Sequence, residues 1–519
     1  MKIFISSKVH FWKVFFDSEG LIYSELERPH QDTQIFFTES LDELELTTFH
    51  QEKCVVVTES IFGKKIGELD FIEEYKTNYH KKNFSITCSS NVATFRIYKF
   101  NKCFVIFYDP RINNLLQNDN QSIKRISISN SGNIFCHETL NAVDKRHVKS
   151  FMRKVLYFAA ETIDKNLFFI WKYPYGKRNI FNLRIDVDPD RNVDESIAMQ
   201  RIRTTVNLSE PYKDRVSMAL NLYHRKDIES FLALFKDKFD ICSHNFYHWH
   251  FPDLLHTKKN IDYAESYLFD LIDSNLKGFV SPEYFWSNKI FSYLFKKNYK
   301  FSSSFGFDFS SFPYSPINTN SSEIFYEIPS HPIVYGKIKQ VFGNDEKSIN
   351  EKYIEILDSI SKQSEEPMTI YEHPAVLGQK PKIFDLIMEF SNSRHIAPIT
   401  LSGFYKWLIL RENFLRNIER ISIDKVILKS DKSFRLKDLR KIYIAIKSPH
   451  NNDLTIVPYV DYKKFGASSE NAKIIESNNE KNLINHTIFY ESENHIKWYN
   501  SPRHLSKVIN AYKKYYKKN

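Results

Sequence analysis

Cysteine is scarce in this chain. Its 519 residues carry five, Cys54, Cys88, Cys103, Cys136 and Cys242, none of them in a C-x-x-C pair. The odd count and the spacing argue against a disulfide scaffold and against a cysteine-based zinc site, and they fit a reducing compartment. Long apolar runs are missing as well. No stretch of roughly 18 or more apolar residues is free of charge, so a transmembrane helix is not expected. The opening segment, Met1 to His10, breaks its apolar run with Lys8 and His10 and is followed by Lys13, which makes a poor signal peptide. A cytoplasmic protein is the expectation. Internal repeats and low-complexity tracts are not evident either.

The rest is ordinary globular composition. Hydrophobic residues make up 42% and charged residues 26%, which excludes wholesale disorder. The 44 Phe and 30 Tyr supply bulk for a large core. At roughly 100–200 residues per domain, the length suggests two to four domains. The net charge of +10 favours phosphate-bearing or anionic partners. Joint enrichment in Lys, Asn, Ile and Phe follows equally from an A/T-rich genome, so the charge identifies no partner. No basic–aromatic motif supports nucleic-acid binding. Nothing in the sequence specifies an oligomeric state.

Three regions are expected. Residues 1–165 read as a mixed α/β domain without a chemical motif: Cys54–Thr58 and Lys102–Tyr108 suit buried strands, and Ala142–Asp164 has helical spacing. Residues 172–411 alternate strand and helix patterns. Strands are expected over Ile180–Val187, Phe239–Ser243 and Met368–Glu372. Helices are expected over Asp227–Lys238, Lys258–Ser274, Ser348–Ser361 and Leu401–Ile418. Residues 421–519 read as a small β-rich module with a basic tail, with β-like runs at Lys441–Lys447 and Thr487–Glu491.

Chemistry concentrates in the middle region. In Leu183-Arg-Ile-Asp-Val-Asp-Pro-Asp190, strand alternation puts Arg184, Asp186 and Asp188 on one face, and Pro189 ends the strand. Two carboxylates then sit at a strand's carboxyl end, where α/β folds place their sites. Ile241-Cys-Ser-His-Asn-Phe-Tyr-His-Trp-His-Phe251 follows an apolar strand. On a helical turn, His244 and His248 would share a face about 5–6 Å apart and reach one metal ion. His250 and His256 lie close by in sequence. Zinc accepts two imidazoles and a carboxylate, leaving a position for water. A third segment, Thr369-Ile-Tyr-Glu-His-Pro374, puts His373 at a strand end; alone it is an ordinary loop histidine.

Together these motifs resemble the polysaccharide deacetylase family, carbohydrate esterase family 4, over about residues 172–411. Lys277-Gly-Phe-Val-Ser-Pro-Glu-Tyr284 is similar to the family's Gly-Phe-Arg-x-Pro-Tyr segment. Asn298 to Asp308 is similar to its Gly-Tyr…Ser strand with an acidic follower. Ile370-Tyr-Glu-His373 is similar to its Leu-x-His, and Ala397–Ser402 with Trp407 and Arg411 to its closing helix. The resemblance implies a distorted (β/α) barrel, flanked by the N-terminal α/β domain and the C-terminal β-rich module.

It also implies a metal-dependent N-deacetylase that releases acetate from an N-acetylated amino sugar, such as a nucleotide sugar or a lipid-linked precursor of surface polysaccharide. Asp188, His244 and His248 would hold a divalent metal, zinc first, with cobalt, nickel or iron as alternatives. Asp186 would be the base and His373 the acid, and base and ligand could exchange between the two aspartates. Arg184, Pro282, Glu283, Tyr284, Asp308 and His331 would line the substrate site, with a backbone N–H near Tyr284 on the oxyanion. The family's Arg that holds the base is Val280 here, and Arg184 is the expected substitute. The other readings are a hydrolase of a different C–N bond and an inactive glycan-binding barrel. The tail lysines, Lys513, Lys514, Lys517 and Lys518, could meet anionic lipid at the inner face of the membrane or form a solvated helix end.

Overall fold

The computed structural model describes short segments between 3 and 136, then 145–475 apart from 191–192, 224, 249–253, 274, 283–287, 305–311, 317–322, 331–333, 337–338, 340–344, 364–366, 393–395, 422–425, 430–433, 450–453 and 466–472. His250, Glu283, Tyr284, Asp308, His331, the run Thr487–Glu491 and the basic tail lie outside the described residues.

The centre is an eight-stranded parallel sheet. Its strands are β1 Asn179–Val187, β2 Val216–Leu220, β3 Asp240–Ser243, β4 Gly278–Val280, β5 Phe301–Ser303, β6 Tyr326–Glu327, β7 Met368–Glu372 and β8 Ile396–Pro398. The order is β6-β5-β4-β3-β2-β1-β7, with β8 paired to the start of β1. Intervening helices include α1 Glu195–Ser209, α2 Ile228–Ala233, α3 Leu254–Leu268, α4 Asn288–Lys296, α5 Glu346–Gln363, α6 Pro381–Ser391 and α7 Leu401–Asn417. This repeated strand–helix order is what buries both faces of a parallel sheet.

All nine residues of β1 are buried. Phe181, Leu183, Ile185 and Val187 pack outward with Ile202, Val206, Phe384 and Ile387 of the helix layer. Asn182, Arg184 and Asp186 face the other way. A flat sheet would hold β1 and β5 four strand spacings apart, about 19 Å. Yet Arg184 Nη1 on β1 donates to Ser303 O on β5 over 3.1 Å. The sheet is therefore curled into a half-barrel, and one arginine spans its interior.

The amino end of the barrel is plugged by α7. Asp240, which opens β3, accepts from Ser217 Oγ at 2.8 Å, Ser402 N at 3.0 Å and Ser402 Oγ at 2.5 Å. Thr400 caps α7 by accepting from Gly403 N at 3.0 Å. Asp240 thus satisfies one N-terminal N–H group and lies at the favourable end of the helix dipole. Asp240→Ala is expected to cost about 1–3 kcal/mol in urea unfolding, because it strands buried donors. Metal binding should be unaffected, since the candidate site lies at the opposite strand ends.

The flanking regions pack onto this end. Ile3–Ile5, Ser24–Glu25, Ile35–Phe37, Cys54–Thr58, Asp70–Lys82, Cys88–Phe100 and Cys103–Tyr108 form a mixed seven-stranded sheet. The helix His10–Glu19 lays Trp12 and Phe16 on Phe37, with ring centroids 4.5 and 4.9 Å apart. Leu167–Ile170 joins Tyr443–Lys447, Leu454–Pro458 and Lys473–Ile475 in an antiparallel sheet. Buried Arg411 of α7 donates to the carbonyls of Asp17, Ser18 and Ile170, so it ties all three parts together. Glu19 pairs with Arg153 and Lys172 beside it. No described helix is long and apolar enough to cross a membrane.

Candidate metal centre

The site forms at the carboxyl ends of β1, β3 and β7. Asp188 is the residue just beyond β1. Its N–H donates to Asp186 O at 2.9 Å, a three-residue turn centred on Val187. His244 is the residue just beyond β3. The helical turn expected for His244 and His248 is not what forms there. Asn245 adopts φ 61°, a left-handed conformation that asparagine tolerates and a helix does not. Side chains replace the helical bonds. Asn221 Nδ2 donates to His244 O at 2.8 Å and to Asn245 O at 3.2 Å. Asn260 of α3 accepts from Tyr247 N at 2.8 Å and donates to Tyr247 O at 3.0 Å. The two imidazoles still face each other, with centroids 5.0 Å apart.

The aspartate and both histidines converge. Asp188 Oδ1 lies 3.1 Å from His244 Nε2 and 2.9 Å from His248 Nε2. One ligand atom from each of Asp188, His244 and His248 lies within 4.8 Å of the others. His244 is buried, and its Nδ1 sits 2.8 Å from Val280 O. A carbonyl only accepts, so Nδ1 carries the hydrogen and a neutral His244 turns the Nε2 lone pair toward Asp188. Asp188 Oδ1 is itself buried and receives no hydrogen bond of good geometry among the described residues. An electron pair facing an unsatisfied carboxylate oxygen is an arrangement that a cation relieves. The donor set, two imidazoles and one carboxylate, fits zinc and its divalent neighbours.

The surrounding electrostatics agree. Burial alone would push Asp188 up, but the imidazoles of His248, His244 and His373 around it outweigh burial and hold the carboxyl well below its usual range. His373, the residue after β7, places Nε2 3.4 Å from Asp188 Oδ2. Burial lowers its pKa; Asp188, Asp186 and Glu372 reverse this, and the net shift is upward.

Asp186 is buried and clamped by Arg184, with Nε to Oδ1 at 2.7 Å and Nη2 to Oδ2 at 2.9 Å. Nη1 of the same guanidinium donates to Ser303 O at 3.1 Å, Ser303 Oγ at 2.9 Å and Ser330 Oγ at 3.3 Å. Its plane lies over Tyr371, 5.3 Å from the ring centroid. Arg184 is fully buried, so it reaches a substrate only through Asp186. Pro282 is buried just past β4. Asn221, Asn260 and the Val280 carbonyl carry no sequence signal of a site, because any residue offers a carbonyl and asparagine is common in loops.

Glu372 lies on the outer side of β7. It is fully buried and accepts from Tyr335 N at 2.5 Å and Tyr353 OH at 3.1 Å. Burial pushes its carboxyl from 4.5 to about 7. Between those values the folded protein holds a proton that the unfolded chain has lost, so stability falls as pH rises through this window and levels off above it. Glu372→Gln keeps the shape without the charge. It is expected to be roughly 3 kcal/mol more stable than the parent at pH 8 and equal to it at pH 4.5, by urea unfolding at each pH.

No protein-family model matches the sequence, and no curated protein does. Among solved structures, a polysaccharide deacetylase from Mycobacterium smegmatis shares 14% identity over 46% of this chain and 92% of its own, with a TM-score of 0.36. One from Pseudomonas aeruginosa PAO1 shares 11% over 44% and 91%, at 0.36. Puue allantoinase shares 11% over 45% and 91%, at 0.36. Likeness of this degree says nothing about substrate.

Proposed function

We propose that this protein is a metal-dependent hydrolase that removes the acetyl group from an N-acetylated amino sugar. The observation that carries this reading is the convergence of Asp188, His244 and His248, with Asp186 on the same strand and His373 across from it. A divalent cation held by those three side chains would polarise an amide carbonyl and lower the pKa of water. Asp186 takes a proton from the attacking water at a carboxylate oxygen. The Arg184 fork fixes the direction of that carboxylate. His373, with its upward-shifted pKa, holds a proton on Nε2 and passes it to the departing nitrogen. The C–N bond breaks as a C–O bond forms, giving acetate and a free amine.

The test is acetate release from a panel of N-acetylated substrates: a nucleotide sugar, a chitooligosaccharide and a lipid-linked sugar, with zinc, cobalt, nickel or iron supplied in turn. Acetate should appear with at least one sugar, vanish on chelation and return when metal is restored. A metal-loaded protein that releases no acetate from any of them, yet cleaves a cyclic amide, would move the reading to another C–N hydrolase.

A further inference from the structure

Asp188 stands where both of its strand neighbours have given out. Pairing of β1 with β2 stops at Val187 and Leu220, and pairing with β7 stops at Ile185 and Glu372. The next residue, Pro189, has no N–H to offer. A ligand carried on backbone beyond its ladders needs another anchor if its carboxylate is to keep one direction.

Arg225, in the loop after β2, supplies that anchor. Its Nη2 donates to Val187 O at 3.3 Å and to Asp188 O at 3.1 Å. The guanidinium lies over Phe231, 4.6 Å from the ring centroid, and Phe231 is wholly buried in α2. Only 9% of Arg225 is exposed. Its own loop is held just beyond it: Lys226 N donates to Glu195 Oε1 at 2.6 Å, and Asp227 caps α2 by accepting from Ser230 N at 3.0 Å. Burial lowers Arg225 to about 10, so the group stays charged at neutral pH.

We propose that Arg225 is a positioning residue, which fixes the backbone of Asp188 and through it the carboxylate that faces His244 and His248. The inference rests on the metal-dependent reading above. Two effects of this arginine oppose each other. Its hydrogen bonds hold the ligand in place, whereas its positive charge repels a cation in the same site. The geometry favours the first. Nη2 bonds the backbone of Asp188 itself, and no bond from Arg225 to the Asp188 carboxylate occurs among the described residues.

The test uses the full-length protein with Zn²⁺ alone, by competition against a chromophoric chelator, on Arg225→Lys, Arg225→Met and Asp188→Ala. Loss of an outer partner of a metal ligand typically costs about 10–100-fold in affinity. Both Arg225 variants should weaken Zn²⁺ by that factor. Arg225→Lys, which keeps the charge and loses the fork, should leave the metal-free melting temperature within a few degrees of the parent. In an Asp188→Ala background, Arg225→Met should cost no further affinity, because the arginine acts through that residue. Wild-type or tighter Zn²⁺ affinity in Arg225→Lys or Arg225→Met would overturn the proposal, as would losses that add in full to that of Asp188→Ala. If Arg225→Met fails to fold, the lysine variant decides alone. A parent protein that binds no Zn²⁺, or an Asp188→Ala variant that binds it as tightly as the parent, would overturn the metal-dependent reading itself. That outcome is distinct from a parent that binds Zn²⁺ and ignores Arg225.

Discussion

On the proposed metal-dependent reading, replacing His244 with alanine will abolish Zn²⁺ binding. The imidazole is buried, its Nδ1 is committed to the Val280 carbonyl, and its Nε2 lies 3.1 Å from Asp188. Its loss removes one of three donors and leaves Asp188 Oδ1 with the His248 imidazole alone. The expected drop in Zn²⁺ affinity exceeds about 100-fold, the upper range for losing a mere outer partner. Acetate release should fall with it. His248→Ala should behave alike, since its Nε2 lies 2.9 Å from the same oxygen. Metal content of the dialysed protein, measured beside its melting temperature, is the check. A folded His244→Ala protein that retains one equivalent of metal would refute the assignment of that residue as a ligand.

Arg184→Met will damage both stability and turnover. The guanidinium bonds both oxygens of Asp186 and reaches across the barrel to Ser303 and Ser330. Removing one partner of a buried ion pair leaves the other uncompensated, at a cost of about 3–5 kcal/mol. Arg184→Lys restores a charge without the planar fork, so it should recover part of the stability and little of the activity. Urea unfolding and acetate release, measured on the same preparations, separate the two effects. Full activity in either variant would show that Asp186 needs no clamp. Arg184 thus holds Asp186 from within β1 itself, while Val280 contributes a carbonyl to His244.

Three of the central strands were legible because each is a local pattern, whereas Val216–Leu220 was missed. Met368–Glu372 runs as four apolar or β-favouring residues followed by Glu372, and it forms with those limits. The candidate site was legible for the same reason: Asp188, His244 and His373 each follow a strand, and parallel α/β folds gather their chemistry at strand ends. The helical turn was misread because spacing alone does not distinguish a helix from a loop that asparagines hold. Asn221 and Asn260 bond the His244–Tyr247 backbone from a strand end and from a helix, and neither is a neighbour in sequence.

By itself the sequence determined the alternation of strands and helices, three of the central strands, the candidate ligands and the arginine placed to face Asp186, because hydrophobic period and residue chemistry are local properties. The tertiary structure decided the rest: the curl that carries Arg184 to Ser303, the turn that aims two imidazoles at one oxygen, and the grip of Arg225 on Asp188. These depend on how far the sheet bends and on backbone carbonyls that every residue possesses, so no pattern of side chains could announce them.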